Sequence, residues 1–233
     1  KKQSAKKYIG SSYIAYFQAY TNTYASLAYL EKLYMEAILH PDIRILSIAT
    51  RPDCLSTEIL DLLERLNQIK PVWVELGLQT IHERTARYIR RGYDLPVFET
   101  AASELRRRGI DVIVHTILCL PGETKSDMLQ TIQYLNRQDI QGIKLQLLHI
   151  LKDTDLAEIY ASDPFPVPDP QEYYELLGAC INHLRPDIVI HRLTGDGPKE
   201  LLTAPLWTCN KRQVLNQLQS YFKTHDIWQG KEY

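Results

Sequence analysis

One stretch of this chain, residues 72–80 with the sequence VWVELGLQT, constrains the rest more than any other, because an aliphatic run there ends directly in polar side chains. Successive side chains of a strand point to opposite faces, so Val72, Val74, Leu76 and Leu78 share one face and Trp73, Glu75, Gly77 and Gln79 the other. The aliphatic face can pack under helices. A face carrying Glu75 and Gln79 needs polar partners that a closed apolar core does not supply, so it is expected to line the inside of something that holds a ligand.

The remaining chain fits around that strand. YIAYFQAY (13–20) reads as a strand, followed by the polar loop Thr21, Asn22 and Thr23 and a helix over 25–39 that Pro41 stops. IRILSIAT (43–50) is the next strand and ends at Arg51, Pro52 and Asp53; Ser56 then caps a helix with Ile59, Leu62, Leu63 and Leu66 at helical spacing. Beyond residue 80 come helical stretches at 82–89 and 96–108, a strand at 111–118, a helix to 138 opened by a Thr124/Asp127 capping box, and a fifth strand at 142–149. A short helix towards Tyr160, a Pro-rich spacer at 164–170, a helix over 172–184 and a sixth strand at 187–192 complete the repeat. The tail, with Trp207, a helix over 211–222 and the terminal WQGKEY, departs from it.

Strands separated by helices in this rhythm predict an α/β fold, a barrel of β/α units or a doubly wound sheet. In either, function sits at the carboxyl ends of the strands, which places Gln18, Thr21, Arg51, Gln79, Glu123, His149, Lys152 and Asp196 on one rim. Residues 1–197 are expected to form the barrel and 198–233 an extension packed on it.

Composition mainly excludes. The 233 residues are 45% hydrophobic with a formal net charge of -1, which gives no global pull on nucleic acid and leaves only local patches, Lys1, Lys2, Lys6 and Lys7 or Arg106, Arg107 and Arg108. The arginine run also reads as an ordinary helix end capped by Gly109. No apolar run approaches the ~20 residues of a membrane span, so a cytoplasmic protein without a membrane partner is expected. Cys54, Cys119, Cys180 and Cys209 are too widely spaced for a metal site and read as free, mostly buried thiols. No phosphate-loop, dinucleotide or zincin motif is present. An interior Glu75 demands partners, and an ion pair with Arg51 or Lys144 is the plain structural solution. His115, in a strand on the same parity as Cys119, reads either as a hydrogen-bonded core residue or as a ligand contact; His149 and His191 stand near strand ends.

The strand ends FQAYTNT, SIATRPD, VWVELGLQT, the RRGYD segment, HTILCLPGET and GIKLQLLHILKDT, in that order, resemble the later strands of radical S-adenosylmethionine (SAM) enzymes, in the group with the elongator catalytic subunit and the anaerobic coproporphyrinogen oxidase. With IHRLTGDGPKELLTAPLW and the terminal WQGK, the resemblance is to the YhcC/YtqA type and covers nearly the whole chain. It implies a partial (β/α)6 barrel, SAM and a [4Fe-4S] cluster held by a CxxxCxxC loop after the first strand, and an electron donor such as flavodoxin or ferredoxin.

No such cysteine triad occurs in this sequence, and it does not open on Met; the resemblance therefore places the first strand and its cluster loop ahead of Lys1 and leaves this piece without metal ligands and inactive. By position, the resemblance puts Ala19, Tyr20, Thr21 and Asn22 where relatives carry a Gly-Gly segment against the SAM amino group. It likewise aligns Gln79 and Arg91 with SAM-contacting residues and His115 with a ribose-contacting carboxylate, with Arg51 and Glu75 as further cofactor-side candidates. It implies a substrate near His149, His191, Arg192 and Asp196, and a tRNA nucleoside as target. A SAM or nucleotide-binding barrel without radical chemistry, or a conventional lyase using Glu75 or His115 as base, are the alternatives.

Overall fold

The computed structural model describes residues 12–195 and 197–233; the Lys1, Lys2, Lys6 and Lys7 patch and Asp196 lie outside the described residues. Six strands form one sheet in sequence order, β1 (Tyr13–Phe17), β2 (Ile43–Thr50), β3 (Val72–Gln79), β4 (Asp111–Leu118), β5 (Gly142–Leu147) and β7 (Val189–Arg192). The pairs β1–β2, β2–β3 and β5–β7 are parallel. Between β5 and β7 the two-residue β6 (Ile150–Leu151) pairs antiparallel with β8 (Leu202–Ala204), a contact too short to read from alternation. Packing divides the chain into two compact units, Lys1–Gly77 with Pro96–Ile113, and Leu78–Leu95 with Val114–Tyr233. Among the described residues no helix is long and apolar enough to cross a membrane.

In the first unit, Leu46 and Ile48 of β2 and Val72, Val74 and Leu76 of β3 are all buried. So are Leu30, Tyr34 and Ile38 of α1 (Leu27–Ile38), Leu60, Leu62, Leu63 and Leu66 of α2 (Thr57–Asn67), and Phe98 and Leu105 of a further helix over Leu95–Arg107. Each such side chain contributes about 1.5–3 kcal/mol relative to exposure. Ser56 caps α2 as expected, accepting from the Ile59 amide, although Leu60 rather than Ile59 is the buried member of the first turn. The 106–108 arginine run is the end of its helix and is consumed there: Arg107 and Arg108 both bond Glu104, and Arg108, 8% exposed at its side chain, also bonds Asp61. Strand β1 stops at Phe17 instead of Tyr20, because Tyr20 turns left-handed (φ 62°) with its ring in solvent.

The polar face of β3 finds its partners in this unit. Parallel register sets Tyr16 beside Ser47 and Ala49 beside Glu75, and the buried Glu75 carboxylate accepts from the Tyr16 hydroxyl on one oxygen and the Ser47 hydroxyl on the other, each at 2.8 Å. Arg51 forks onto Asp53 at 2.9 and 2.7 Å, two residues away, a pairing that orders little chain.

The helices of the second unit connect its strands, and several carry side-chain caps. Numbering on, the short α3 is Glu83–Tyr88 and the helix over Leu95–Arg107 is α4; α5 (Lys125–Leu135) carries the expected Thr124/Asp127 capping box, and α6 is Asp155–Ser162. The next helix, α7 (Pro170–His183), starts two residues earlier than expected because Asp169 and Glu172 form a second capping box around Pro170. Of the cysteines only Cys180 is fully buried; Cys54, Cys119 and Cys209 are partly exposed, contrary to expectation. Behind α8 (Lys211–Thr224) the terminal WQGK folds back: the Gln229 amide donates to the carbonyls of Arg185 and Ile188 at 2.7 Å, tying the tail to the approach of β7. Gly230 sits at φ 84°, and a Cβ there would lie 2.4 Å from Pro186 Cγ.

Two outcomes are expected. Gly230→Ala combines a left-handed strain with a clash and should lower unfolding free energy by about 1–3 kcal/mol in denaturant titration. Glu75→Ala leaves two hydroxyls without their acceptor and should cost at least about 1–3 kcal/mol, whereas Tyr16→Phe, which removes one donor, should cost about 1 kcal/mol.

Candidate functional site

Strand β3 ends in a turn that concentrates two unfavourable features on one residue. Gln79 has φ 67°, left-handed for a residue with a Cβ, and its Oε1 is buried with no hydrogen-bond partner among the described residues. Exchanging the two ends of the amide would only leave a buried nitrogen in the same position. A left-handed non-glycine costs about 1–3 kcal/mol, and an unsatisfied buried polar group a similar amount. Such costs on a single side chain point to an acceptor held ready for a donor.

Neighbouring residues fix the turn. The Thr80 amide donates to the Leu78 carbonyl at 2.8 Å. Its hydroxyl accepts from the His82 amide and donates to Glu123 Oε1 at 2.5 Å. Burial pushes the Glu123 carboxyl above the usual carboxylate range, against the pull of the Thr80 and Thr85 hydroxyls. From the α3–α4 loop, the buried Arg91 donates through Nη1 to the carbonyls of Leu78 (3.3 Å) and Thr80 (2.8 Å), through Nε to Tyr93 O (2.8 Å) and through Nη2 to Glu83 (2.8 Å). Glu83 Oε1 also accepts from the Leu95 amide.

On β4, His115 is half-buried, and it is tied to a residue that alternation alone did not single out, Gln146 of β5. Arg192 of β7 donates Nη1 to Gln146 Oε1 at 3.1 Å, and the Gln146 amide nitrogen faces His115 Nδ1 at 3.4 Å. A guanidinium can only donate, so it fixes the amide with its N–H2 towards the imidazole; Nδ1 then accepts and the neutral ring carries its proton on Nε2. Gln146 has the same strand parity as Lys144, which is the signal that could have found it. The expected substrate residues divide: His149 packs against Gly195 and Gly197, accepting from the Gly197 amide at 3.2 Å, while Arg192 joins the Gln146 relay and His191 stands half-buried beside it in β7. A Cβ at Gly195 would lie 2.5 Å from His149 Nε2, so the glycine is what lets the imidazole approach.

In the first unit, Asn22 gathers the segment after β1: its side-chain nitrogen donates to the carbonyls of Ala19, Tyr20 and Ala49. Thr21 is half-exposed there, next to the buried Thr23, whose hydroxyl meets Thr50. Arg51 and Glu75 have the partners described above.

The amino and hydroxyl donors of SAM fit the acceptor at Gln79 Oε1, while an imidazole that donates from Nε2 fits an acceptor atom of its adenine or ribose. A cluster is a different matter. Among the described residues no group of three or more His, Cys, Asp or Glu could hold a metal ion, and burial pushes the Cys119 thiol up to about 12.

A profile for the radical SAM superfamily matches residues 2–135, and one for the radical SAM C-terminal domain residues 140–224. The uncharacterized protein YtqA of Bacillus subtilis is 38% identical over 231 residues, which is 99% of this chain and 72% of that protein. Protein YhcC of Escherichia coli is 36% identical over 216 residues, 92% of this chain and 70% of that protein. The structure of the archaeal Methanocaldococcus infernus Elp3 superposes with a TM-score of 0.81 at 16% identity, covering 98% of this chain and 58% of that one. At that identity the likeness shows the fold, which is the α/β partial-barrel type expected. With one profile over more than half its length and two relatives above one-third identity over nearly all of it, the chain belongs to the radical SAM superfamily of enzymes, in the YhcC type.

Proposed function

We propose that this protein binds SAM in its second unit, with Gln79 accepting a hydrogen bond from the cofactor and His115 donating one, and serves a radical SAM reaction on a tRNA nucleoside. The observation that carries the cofactor part is the buried, unpartnered Oε1 of Gln79. Gln79 and His115 would hold SAM, which beside a reduced [4Fe-4S] cluster would supply radical hydrogen-abstraction chemistry.

The chain's own contribution is positioning. Gln79 offers an oxygen already stripped of water, so a cofactor donor replaces no existing bond and gains the full interaction. Where the resemblance implies an accepting carboxylate at position 115, the Arg192–Gln146 relay sets His115 to donate, which selects an acceptor atom of the nucleoside instead of a hydroxyl proton. Residues 198–233 are proposed as an extension to the reaction-bearing 1–197. The resemblance to the elongator group suggests the tRNA part, and a small electron carrier such as flavodoxin or ferredoxin is the proposed reductant.

Full-length protein, reconstituted without oxygen and reduced, should release 5'-deoxyadenosine from SAM; SAM bound with no such product would leave a binding protein without radical chemistry. Gln79→Ala should weaken SAM about tenfold in equilibrium dialysis, the scale of one lost hydrogen bond in a dry site. Mass spectrometry of tRNA nucleosides from a strain lacking the gene should show one modification depleted; an unchanged profile would overturn the tRNA part and leave the cofactor part standing.

A further inference from the structure

The segment that follows β8 brings a row of rings and a row of cations to one face of the second unit. From the 3-10 turn Leu206–Cys209, Trp207 donates its indole N–H to the Pro168 carbonyl at 3.0 Å, just ahead of α7. Its ring meets Tyr173 and Tyr174 of that helix, with centroids 5.8 and 6.1 Å away. Tyr174 passes the contact to Tyr221 of α8 at 5.9 Å, and the exposed His225 stacks on Tyr221 at 3.9 Å. A carbonyl can only accept, so the imidazole is held there by its Nδ1–H donating to Tyr221 O. Trp207, Tyr174, Tyr221 and His225 line a groove of about 680 Å³ between the start of α7 and α8, within the ~300–1,000 Å³ of a ligand site.

The other wall is made of amides. Asn210 Oδ1 accepts from the Gln213 backbone amide as the cap of α8, so its Nδ2 must be the atom that donates to Gln213 Oε1, and Gln213 keeps its N–H2 to offer. The Tyr174 hydroxyl donates to Gln217 Oε1 at 3.0 Å in the same sense. A second depression, of about 360 Å³, shares Gln213, Gln217 and Ser220 with the groove and reaches Arg212. Arg212 and Lys223 stand about three turns apart on one stripe of α8, and residues 207–225 include no Asp or Glu. Among the described residues the one carboxylate lining either hollow, Asp169, is turned onto the Glu172 amide as the cap of α7.

We propose that this groove binds an unpaired stretch of tRNA, with bases stacked along Trp207, Tyr221 and His225 and phosphates on Arg212 and Lys223. The proposal rests on the tRNA part of the function proposed above, and it gives that substrate a hold outside the cofactor site. Ring faces take any base, amide donors meet base carbonyls, and cations track the backbone, which is how unpaired nucleic acid is gripped locally by a chain whose net charge is only -1. Position favours it as well. A helix that follows a parallel strand begins on the side of the strands' carboxyl ends, where function sits. Tyr173, near the start of α7, donates its hydroxyl to the carbonyl of Leu193, the residue after β7, at 2.7 Å, which sets the ring row beside the strand end that carries Arg192. An acidic protein would answer the cations alone and leave the ring faces unused.

The test is RNA binding by the full-length protein with its cluster reconstituted, read by fluorescence anisotropy. The probes are bulk tRNA from a strain lacking the gene, a short oligouridine, and an RNA duplex of equal length. Wild type should bind tRNA and oligouridine about tenfold tighter than duplex, and equal affinity for duplex would overturn the proposal. His225→Ala, at an exposed position, should weaken both about tenfold, the scale of one lost stack. Arg212→Gln should weaken both and lower the slope of log affinity against log salt by about 0.7–1. Oligouridine should quench tryptophan fluorescence in wild type, and Trp207→Leu should remove that quench; should this variant fail to fold, the two exposed substitutions decide. Affinity for tRNA that His225→Ala and Arg212→Gln leave unchanged would overturn the groove and leave the tRNA reading in place. If deletion of the gene alters no tRNA modification while the variants still lose oligouridine, that reading falls and the groove stands as a site for unpaired RNA. Slower reduction by flavodoxin in Arg212→Gln with RNA binding unchanged would overturn the proposal and give this face to the electron carrier.

Discussion

Two backbone carbonyls drawn onto one arginine nitrogen decide the geometry of the second unit's candidate site. The Arg91 bonds to Leu78 and Thr80 hold a backbone conformation that Gln79 would not adopt alone, and they do so at a place where the carboxamide oxygen has lost water and gained nothing in exchange. Strain and desolvation at one residue are tolerated only where the surroundings over-determine it. Here those surroundings are Glu83, Tyr93, Thr80 and Glu123, drawn from the α3 and β4–α5 regions. The site is thus built by loops at strand ends and stiffened by buried charge.

Two polar residues of the sheet are satisfied through their strand neighbours. Glu75 uses the hydroxyls of Tyr16 and Ser47, and His115 uses Gln146, which Arg192 orients in turn. In both rows, strand alternation puts polar side chains on one face while Leu46, Ile48, Val74, Leu76, Val114 and Leu145 fill the other. The aliphatic faces supply the hydrophobic stabilisation; the polar faces supply direction. That division lets a small number of titratable groups be held at fixed angles without unfolding the sheet.

Much of this was legible in residue order. Alternation in VWVELGLQT assigned the two faces of β3 correctly, the Thr124/Asp127 spacing announced its capping box, and the end of α4 at its arginines followed from dipole and cap chemistry. The failures share a physical cause. The Asp169/Glu172 box opens α7 earlier than its apolar spacing suggests, and the β6–β8 pair is too short for a periodic signal. Gln146 went unnoticed because a glutamine in a strand carries no signal until its neighbours on β4 and β7 are known.

By itself the amino-acid order determined the α/β architecture, the sidedness of each strand and the family, because period-two alternation and helix caps depend only on residues a few positions apart. Only the tertiary structure decided which contacts the singled-out residues make. Which carbonyls an arginine gathers, and whether an imidazole donates or accepts, depends on contacts such as Arg91 to Leu78 and Gln146 to His115, whose directions no local pattern encodes.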